Sequence, residues 1–151
     1  MDEIDRRILS ELQKDGRIAN NILAEKVGLS PSPCLRRVRA LEEAGIIDRY
    51  VAVLSPQAVG INLTVFVRVW LDSQDEETVN HFCTEVSRLT EVVECHLMVG
   101  DCDFLLRVMS ADLTSYRQFQ TRHLTRIRGV KSIKTELPMQ TIKQSTAIPL
   151  G

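Results

Sequence analysis

GLSPSPCLRRVRALE, residues 28–42, is the stretch that decides the fold of the N-terminal part of this chain. Gly28 supplies the backbone freedom that a sharp turn between two helices needs. Ser30 is a good N-cap, and Pro31 suits the first position of a helix, where no backbone N–H is required. The stretch therefore predicts a tight turn followed by a helix.

The predicted helix has an apolar face and a basic face. Its apolar side chains recur at three- and four-residue spacing and are predicted to point inward: Cys34, Leu35, Val38 and Leu41. The other face carries Arg36, Arg37 and Arg39, which are predicted to point outward. A helix presented in this way after a short helix and a turn enters the DNA major groove in helix-turn-helix proteins. Exposed arginines are also often only solvated, so spacing alone leaves both interpretations open.

The flanking residues complete a winged helix-turn-helix. A first helix is predicted from an apolar stripe of Ile4, Ile8, Leu9 and Leu12. Asn20 or Asn21 can cap a short second helix. After the third helix, the β-branched residues 46–54 suit a short strand or wing. Residues 1–50 are thus predicted to form a winged helix-turn-helix DNA-binding domain.

Composition limits the possible functions. The chain has 151 residues, 44% of them hydrophobic, which is enough for one medium or two small domains with cores. The net charge of −1 argues against a general polyanion binder, so any DNA affinity must come from local clustering of basic residues. No apolar run is long enough for a membrane span, and the N-terminal residues lack a signal-peptide pattern.

The four cysteines favour a reduced, cytoplasmic protein. They lie at Cys34, Cys83, Cys95 and Cys102 without C-x-x-C spacing, so no zinc site is expected. The apolar helical positions of Cys34 and Cys83, and the strand position of Cys95, predict mostly buried thiols. Cys102 is the exception because it lies in a candidate ligand loop, where a redox role is the minor alternative. We expect no metal and no cofactor.

The second half of the chain alternates between strand and helix patterns. Residues 63–71 alternate along a strand, with their odd-numbered apolar side chains on one face. Two helices are predicted from caps at Asp75 and Asp112, each followed by apolar residues at helical spacing. Three more strands are predicted at residues 92–99, 104–109 and 130–139. The order β-α-β-β-α-β is the ferredoxin-like arrangement, which makes the chain an α+β protein.

The domain boundaries follow from these two patterns. Residues 51–62 are predicted to link residues 1–50 to a ferredoxin-like domain of residues 63–151. Both helices of that domain cover one face of its sheet. The first strand presents polar and apolar side chains on the other face: Thr64, Arg68, Phe66 and Trp70. An uncovered face with large apolar residues marks an interaction surface, so we expect a homodimer formed sheet to sheet.

Several motifs in this order and at this spacing carry a family resemblance: DRRIL (5–9), LQKDGR (12–17), GLSPSPCLRRV (28–38), LE (41–42), GII (45–47), ECHL (94–97), GDCDFLL (100–106), Tyr116, GV (129–130) and IKQS (142–145). They span essentially the whole chain, which resembles the Lrp/AsnC family of bacterial and archaeal regulators. The resemblance implies a winged helix-turn-helix joined to an effector-binding and oligomerisation domain. It also implies amino acids as effectors, and dimers that assemble into larger rings, often octamers.

The functional residues follow from the helix pattern and from the resemblance. The predicted contact face for double-stranded DNA consists of Ser30, Ser32, Pro33, Arg36, Arg37 and Arg39. In the family the effector pocket lies between protomers, near the Gly-Asp-x-Asp loop and the start of the following helix. Carried onto this chain, the resemblance implies an effector site of Leu97, Gly100, Asp101, Asp103 and Leu113, with Glu136, Leu137 and Pro138 from the last strand. A glycine lets backbone N–H groups approach a carboxylate, and an aspartate can pair with an ammonium group.

Two alternatives remain. Sirohaem decarboxylases have a similar architecture and use histidines and an arginine around a tetrapyrrole. Here His81, His96 and His123 show no metal-ligand spacing, and they are interpreted as surface or structural residues. The second alternative is an effector-binding partner protein with a vestigial DNA-binding domain. The arginine-rich third helix favours a DNA-binding regulator, so we expect no enzyme activity.

Overall fold

The computed structural model describes residues 1–150, which fall into two compact units. The first unit comprises Met1–Val53 and the tail that starts at Ile142, and the second comprises Leu54–Thr141. No helix within residues 1–150 is long and apolar enough to cross a membrane.

Three helices build the first unit: α1 (Glu3–Lys14), α2 (Asn20–Val27) and α3 (Pro31–Glu43). α1 begins with a capping box in which Asp2 and Asp5 each donate a backbone N–H to the other's carboxylate at 2.9 Å. The apolar stripes of the three helices meet in one core: Ile8, Leu9, Leu23, Ala24, Val27, Cys34 and Leu41. The helix order and most of the inward faces are those that the sequence predicts.

The turn between α2 and α3 has the predicted form. Gly28 has φ +75°, and the Leu29 N–H donates to the Ala24 carbonyl at 2.9 Å, which closes the last turn of α2. Pro31 begins α3, as predicted. Ser30 occupies the N-cap position, but its hydroxyl makes no capping hydrogen bond in the described structure. The sharp turn therefore depends on the glycine and the proline rather than on the serine side chain.

Neither Asn20 nor Asn21 caps α2. The N-cap position belongs to Ala19, so α2 begins one residue earlier than the prediction requires. The Asn20 side-chain amide instead donates to the Pro31 carbonyl at 2.8 Å. That bond ties the first turn of α2 to the first turn of α3 and fixes the position of α3 on the unit.

The strand predicted for residues 46–54 is absent from the described structure. The N–H groups of Ile46 and Ile47 both donate to the Leu41 carbonyl, and the chain beyond them is irregular. A strand needs a neighbouring backbone to complete its hydrogen bonds. The described residues of the first unit contain no other strand, so the β-branched pattern alone cannot form one.

Residues 142–150 pack with the first unit, although the sequence pattern predicts them to belong to the second domain. The Gln13 side chain makes two hydrogen bonds to the backbone of Ile148. Its amide N–H donates to the Ile148 carbonyl at 3.1 Å, and its amide oxygen accepts the Ile148 N–H at 2.7 Å. Leu150 packs against the helical core. A sequence pattern cannot indicate such a contact, because the partners lie 135 positions apart.

The second unit has the predicted ferredoxin-like topology. Its elements are β1 (Leu63–Leu71), α4 (Glu76–Val86), β2 (Val92–Leu97), β3 (Phe104–Ser110), α5 (Leu113–Arg122) and β4 (Val130–Glu136). The strands lie in the order β2-β3-β1-β4, and all neighbours are antiparallel. The expected caps form, since Asp75 accepts the Thr78 N–H at 2.9 Å and Asp112 accepts the Ser115 N–H at 2.7 Å.

The two sheet faces differ in burial. The odd-numbered residues of β1 from Val65 to Leu71 and the even-numbered residues of β3 are buried against α4 and α5. The opposite, open face carries half-buried large side chains: Phe66, Trp70, Leu105 and Met109. Ion pairs flank them, with Arg68 and Glu136 at 3.2 Å and Arg107 and Glu94 at 2.6 Å. The open face is thus more polar than the first strand alone suggested.

Several element ends differ from the predictions, whereas the burial of Cys34 agrees with them. β2 ends at Leu97 because its last partner on β3 is Phe104, and β4 ends at Glu136 rather than at residue 139. α5 ends at Arg122, and a short 3₁₀ helix, Leu124–Arg126, follows it. Cys34 is buried as predicted.

Three cysteine predictions are wrong. Cys83 is exposed because it lies one position beyond the inward-facing Phe82 of α4, and Cys95 is exposed because β2 is an edge strand. Cys102, expected to be accessible in the candidate loop, is buried. A burial pattern from neighbouring residues cannot foresee which strand lies at the sheet edge.

Candidate DNA-binding and effector-binding sites

One face of α3 is available for DNA. Ser32, Arg36 and Arg39 are exposed and follow one another at four- and three-residue spacing, so they lie along a single stripe. Arg36 and Arg39 can reach phosphate oxygens or the edge of a guanine, and the Ser32 hydroxyl can contact either a phosphate or a base. Pro33 is half-buried and lies beside the stripe rather than on it.

Leu35 belongs to the exposed stripe, which corrects the inward orientation that the sequence predicts. Its side chain is 38% exposed. It lies three positions after Ser32 and four before Arg39, whereas the inward face of the helix is centred on Cys34 and Leu41. An apolar side chain between polar ones in a major groove can contact the methyl group of thymine. The three-residue spacing between Ser32 and Leu35 is the sequence signal that could have placed Leu35 on the exposed face of the helix.

Arg37 does not point outward, so its predicted orientation is wrong. One guanidinium nitrogen lies 2.7 Å from a carboxylate oxygen of Asp2 and 2.8 Å from one of Asp5, both at the start of α1. These hydrogen bonds raise the pKa of Arg37. The Asp5 N–H and the Arg37 guanidinium together hold the pKa of Asp2 below its ordinary value. Arg37 therefore fastens α3 to α1, while Arg36 and Arg39 remain free for a polyanion.

Residues 98–103 form the candidate effector loop between β2 and β3. Gly100 has φ +144°, a conformation that residues with a Cβ rarely adopt. The end of β1 holds the loop at several points. The Asp103 N–H donates to the Val69 carbonyl at 3.0 Å, and the Trp70 indole N–H donates to the Asp101 carbonyl at 2.6 Å. These hydrogen bonds fix the loop to the end of β1, so it is not a free hairpin tip.

The two aspartates of the loop differ in their surroundings. One carboxylate oxygen of Asp103 accepts the Leu71 N–H at 2.7 Å, and the other accepts the Gln74 side-chain amide at 2.7 Å. The Asp101 side chain is exposed. Asp103 is therefore engaged within its own subunit, whereas Asp101 is accessible to a ligand.

The predicted effector residues fall into two groups at opposite ends of the sheet. The strand register aligns Phe104 with Val69 of β1, so Leu97 and the 100–103 loop lie at the end where β1 finishes. α5 starts just after the pairing of Ser110 with Leu63, at the end where β1 begins. Glu136 is aligned with Phe66, three positions or roughly 10 Å before Val69, and β4 runs from there toward the beginning of β1.

The second group consists of Leu113, Glu136, Leu137 and Pro138. Leu113 and Leu137 are exposed by more than half, and Pro138 is also exposed. Leu113 is the first residue of α5 and lies outside the helix's packed stripe. Glu136 is half-buried and ion-paired to Arg68 and Lys134. One protomer therefore does not bring the two groups into a single pocket.

The histidines are interpreted from the sequence as surface or structural residues, and two of them lie close together. His81 and His123 line a shallow depression of about 300 Å³ with Glu85 and three arginines. His96 lies on the open face of the sheet, 3.6 Å from Glu94. Within the described part of the chain, no group of three or more His, Cys, Asp or Glu side chains could hold a metal ion.

Comparison with known proteins agrees with this combination of parts. A family model of winged helix-turn-helix DNA-binding domains matches residues 1–48, and a model of the Lrp/AsnC ligand-binding domain matches residues 64–148. A DNA-binding head joined to a ligand-binding domain defines a ligand-responsive transcriptional regulator. The chain belongs to the Lrp/AsnC family of such regulators.

Individual relatives support the assignment. The leucine-responsive regulatory protein of Escherichia coli K12 is 45% identical over 98% of this chain and 90% of its own length. A transcriptional regulator of Neisseria meningitidis in complex with L-Met has a TM-score of 0.95 and 36% identity, over 99% of this chain and 96% of that one. An AsnC family regulator of Agrobacterium tumefaciens has a TM-score of 0.94 and 42% identity, over 99% and 97% of the two chains. The predicted family, fold class and regulatory function are confirmed.

Proposed function

We propose that this regulator binds operator DNA as a homo-oligomer in the cytoplasm and that a free amino acid, bound between subunits, controls its affinity for DNA. It acts by binding and not by catalysis. The observation that supports an intersubunit site is the division of the effector residues between opposite ends of the sheet. The 97–103 end of one subunit and the 113 and 136–138 end of another together supply one complete pocket.

The chemistry of the first group suits the charged ends of an amino acid. Backbone N–H groups beside Gly100 can receive the carboxylate, because no Cβ blocks their approach. The exposed carboxylate of Asp101 can pair with the ammonium group. The exposed side chains of Leu97 and Leu113 provide apolar surface for the ligand's own side chain. Asp103 supports this loop from within the subunit.

The single experiment that tests the function is a mobility shift on the promoter DNA next to the gene, without ligand and with each of the twenty amino acids in turn. We expect specific binding whose affinity changes with at least one amino acid. The same amino acid should raise the melting temperature, because a ligand that binds only the folded state stabilises it. Binding to DNA with no response to any of the twenty amino acids would contradict the effector part, and no specific binding at all would contradict the regulator part.

The two loop aspartates are expected to respond differently to neutral substitution. Asp101→Asn removes the proposed partner of the ammonium group and should weaken amino-acid affinity about tenfold, with unchanged stability. Asp103→Asn removes the charge that holds the Leu71 N–H and the Gln74 amide and should lower the free energy of unfolding by about 1–2 kcal/mol. Calorimetric titration and urea unfolding measure the two quantities. A fully stable Asp103→Asn protein that no longer binds ligand would assign Asp103 to direct contact instead.

Dimerisation is proposed to use the open face of the sheet. Phe66 is half-buried there and is aligned with Glu136, so Phe66→Glu places two like charges opposite each other on that face. We expect light scattering to report a mass near that of one chain, 17.1 kDa, for the variant and a multiple of it for the wild type. Val59→Glu, at an exposed position in the short 3₁₀ helix Gln57–Val59 before β1 and outside this face, is the matched control and should retain the dimer. A dimeric Phe66→Glu protein would place the contact elsewhere.

A further inference from the structure

We propose that Trp70 is a positioning residue for the effector loop, and that it links this loop to the open face of the sheet. The inference rests on the proposed effector function of residues 97–103. Trp70 is the chain's single tryptophan, and it was considered in the sequence only as part of an apolar surface. Its position next to the loop gives it a second role.

Three consecutive residues of β1 hold the loop. The Val69 carbonyl accepts the Asp103 N–H at 3.0 Å, and the Leu71 N–H donates to the Asp103 carboxylate at 2.7 Å. Between them, the Trp70 indole N–H donates to the Asp101 carbonyl at 2.6 Å. The first two bonds fix only the base of the loop at Asp103. The indole bond is the one that reaches its middle.

The indole bond sets the orientation of a peptide group in the loop. In a planar trans peptide the carbonyl and the following N–H point in opposite directions. When the Asp101 carbonyl is directed at the Trp70 ring, the Cys102 N–H is directed away from it. The exposed Asp101 side chain is attached to the same peptide unit, and Gly100, whose flanking N–H groups are proposed to receive the effector carboxylate, directly precedes Asp101. Trp70 therefore presets the donor and the acceptor on which ligand recognition depends.

Tryptophan suits this position because it combines a large apolar ring with one N–H donor and no acceptor. The ring lies on the open face, where β1 pairs Trp70 with Ser132 of β4. A change in packing on that face moves the indole, and the indole moves the Asp101 peptide. Binding of an amino acid at the loop and assembly through the face are thus coupled, and the coupling is reciprocal.

Two substitutions separate the hydrogen bond from the bulk of the ring. Trp70→Phe keeps an aromatic ring and removes the N–H. Replacement of Trp70 by β-(3-benzothienyl)alanine, in which sulfur stands for the N–H, keeps the whole shape and removes only the donor. Tyr50→Phe is the matched control, because it removes an aromatic donor, the Tyr50 hydroxyl bonded to Glu42, in the other unit.

The measurements are calorimetric titrations of the full-length proteins with L-methionine and L-leucine, with the mass followed by light scattering. Both Trp70 substitutions should weaken binding of the responding amino acid about fivefold, the size of one net hydrogen bond, at unchanged mass. Tyr50→Phe should leave the affinity unchanged. Wild-type affinity in the benzothienyl protein would overturn the proposal, because the ring and not the N–H would then be what matters.

Hydrogen exchange without any ligand keeps the inference separate from the proposed function. Loss of the indole bond should speed exchange of the Met98 and Asp103 amides, which donate to the Asp103 and Val69 carbonyls, in both Trp70 variants, and it should leave amides in the middle of β1 unaffected. If the wild type binds no amino acid while this exchange is faster, the effector function fails and the anchoring stands. If exchange at the loop is unchanged, Trp70 does not position it and the proposal is wrong.

Discussion

The Gly129→Ala variant is expected to lose about 2–5 kcal/mol of the free energy of unfolding. Gly129 has φ +91°, a conformation that costs a residue with a Cβ roughly 1–2 kcal/mol. A Cβ at this position would also lie 2.7 Å from the Thr78 methyl group, well inside van der Waals contact. Overpacking of that kind costs typically 1–3 kcal/mol, so the two contributions together give the expected loss.

Two matched variants separate strain from the clash, and urea unfolding measures all of them. Gly60 has φ +80°, but a Cβ there would meet nothing within 4 Å, so Gly60→Ala should show the conformational cost alone. Thr78→Ser deletes the clashing methyl and keeps the hydroxyl that donates to Asp75 at 2.9 Å. Added to Gly129→Ala, it should restore the part of the stability that the clash removes. Equal losses in Gly129→Ala and Gly60→Ala would show that the clash is absent.

Local signals were sufficient for most of the fold. Helix periodicity, the Gly28 turn and the aspartate caps depend on residues within a few positions of each other, and each is found where it was predicted. The βαββαβ order follows from the alternation of two such patterns. The predicted wing strand failed because a strand depends on a partner elsewhere in the chain or in another chain, and the described first unit offers none.

Individual side chains were harder to predict than the elements that carry them. Arg37 has the same local context as Arg36, and its orientation is set by Asp2 and Asp5, which lie more than thirty positions away. Asp103 has the same local context as Asp101, and it is engaged by Leu71 and by Gln74. Tertiary contacts decide which of two similar neighbouring residues is exposed and which is held within the fold. Such contacts cannot be predicted from the local pattern of a single sequence.

The effector site shows a further limit of sequence reasoning. The family resemblance collects residues 97–103, 113 and 136–138 into one site, and it says nothing about which subunit supplies each. The strand register separates them within one subunit, because the β2–β3 loop lies where β1 finishes, Leu113 lies near where β1 begins, and β4 runs toward that beginning. The proposed intersubunit pocket would reconcile the resemblance with the register.

On α3, Arg36→Ala and Arg39→Ala are each expected to lower operator affinity about tenfold or more, while Arg37→Ala acts through stability. A bidentate contact of arginine to guanine contributes about 1–3 kcal/mol of discrimination, and a phosphate contact contributes affinity without discrimination. Arg37 is already paired with two carboxylates of α1. Its removal should lower the free energy of unfolding of the first unit slightly and leave base preference unchanged.

Mobility shifts on the promoter DNA, repeated on point-mutated sites and at several salt concentrations, distinguish these roles. An arginine that contacts a base loses preference at one base pair when it is removed, whereas one that contacts phosphate weakens all sites alike and lowers the salt dependence by about one unit. Arg17→Ala, on the exposed segment between α1 and α2, is the control for general loss of positive charge. Altered base preference in Arg37→Ala, with Arg36→Ala and Arg39→Ala unaffected, would mean that Arg37 leaves the α1 carboxylates and turns to the DNA when the operator binds.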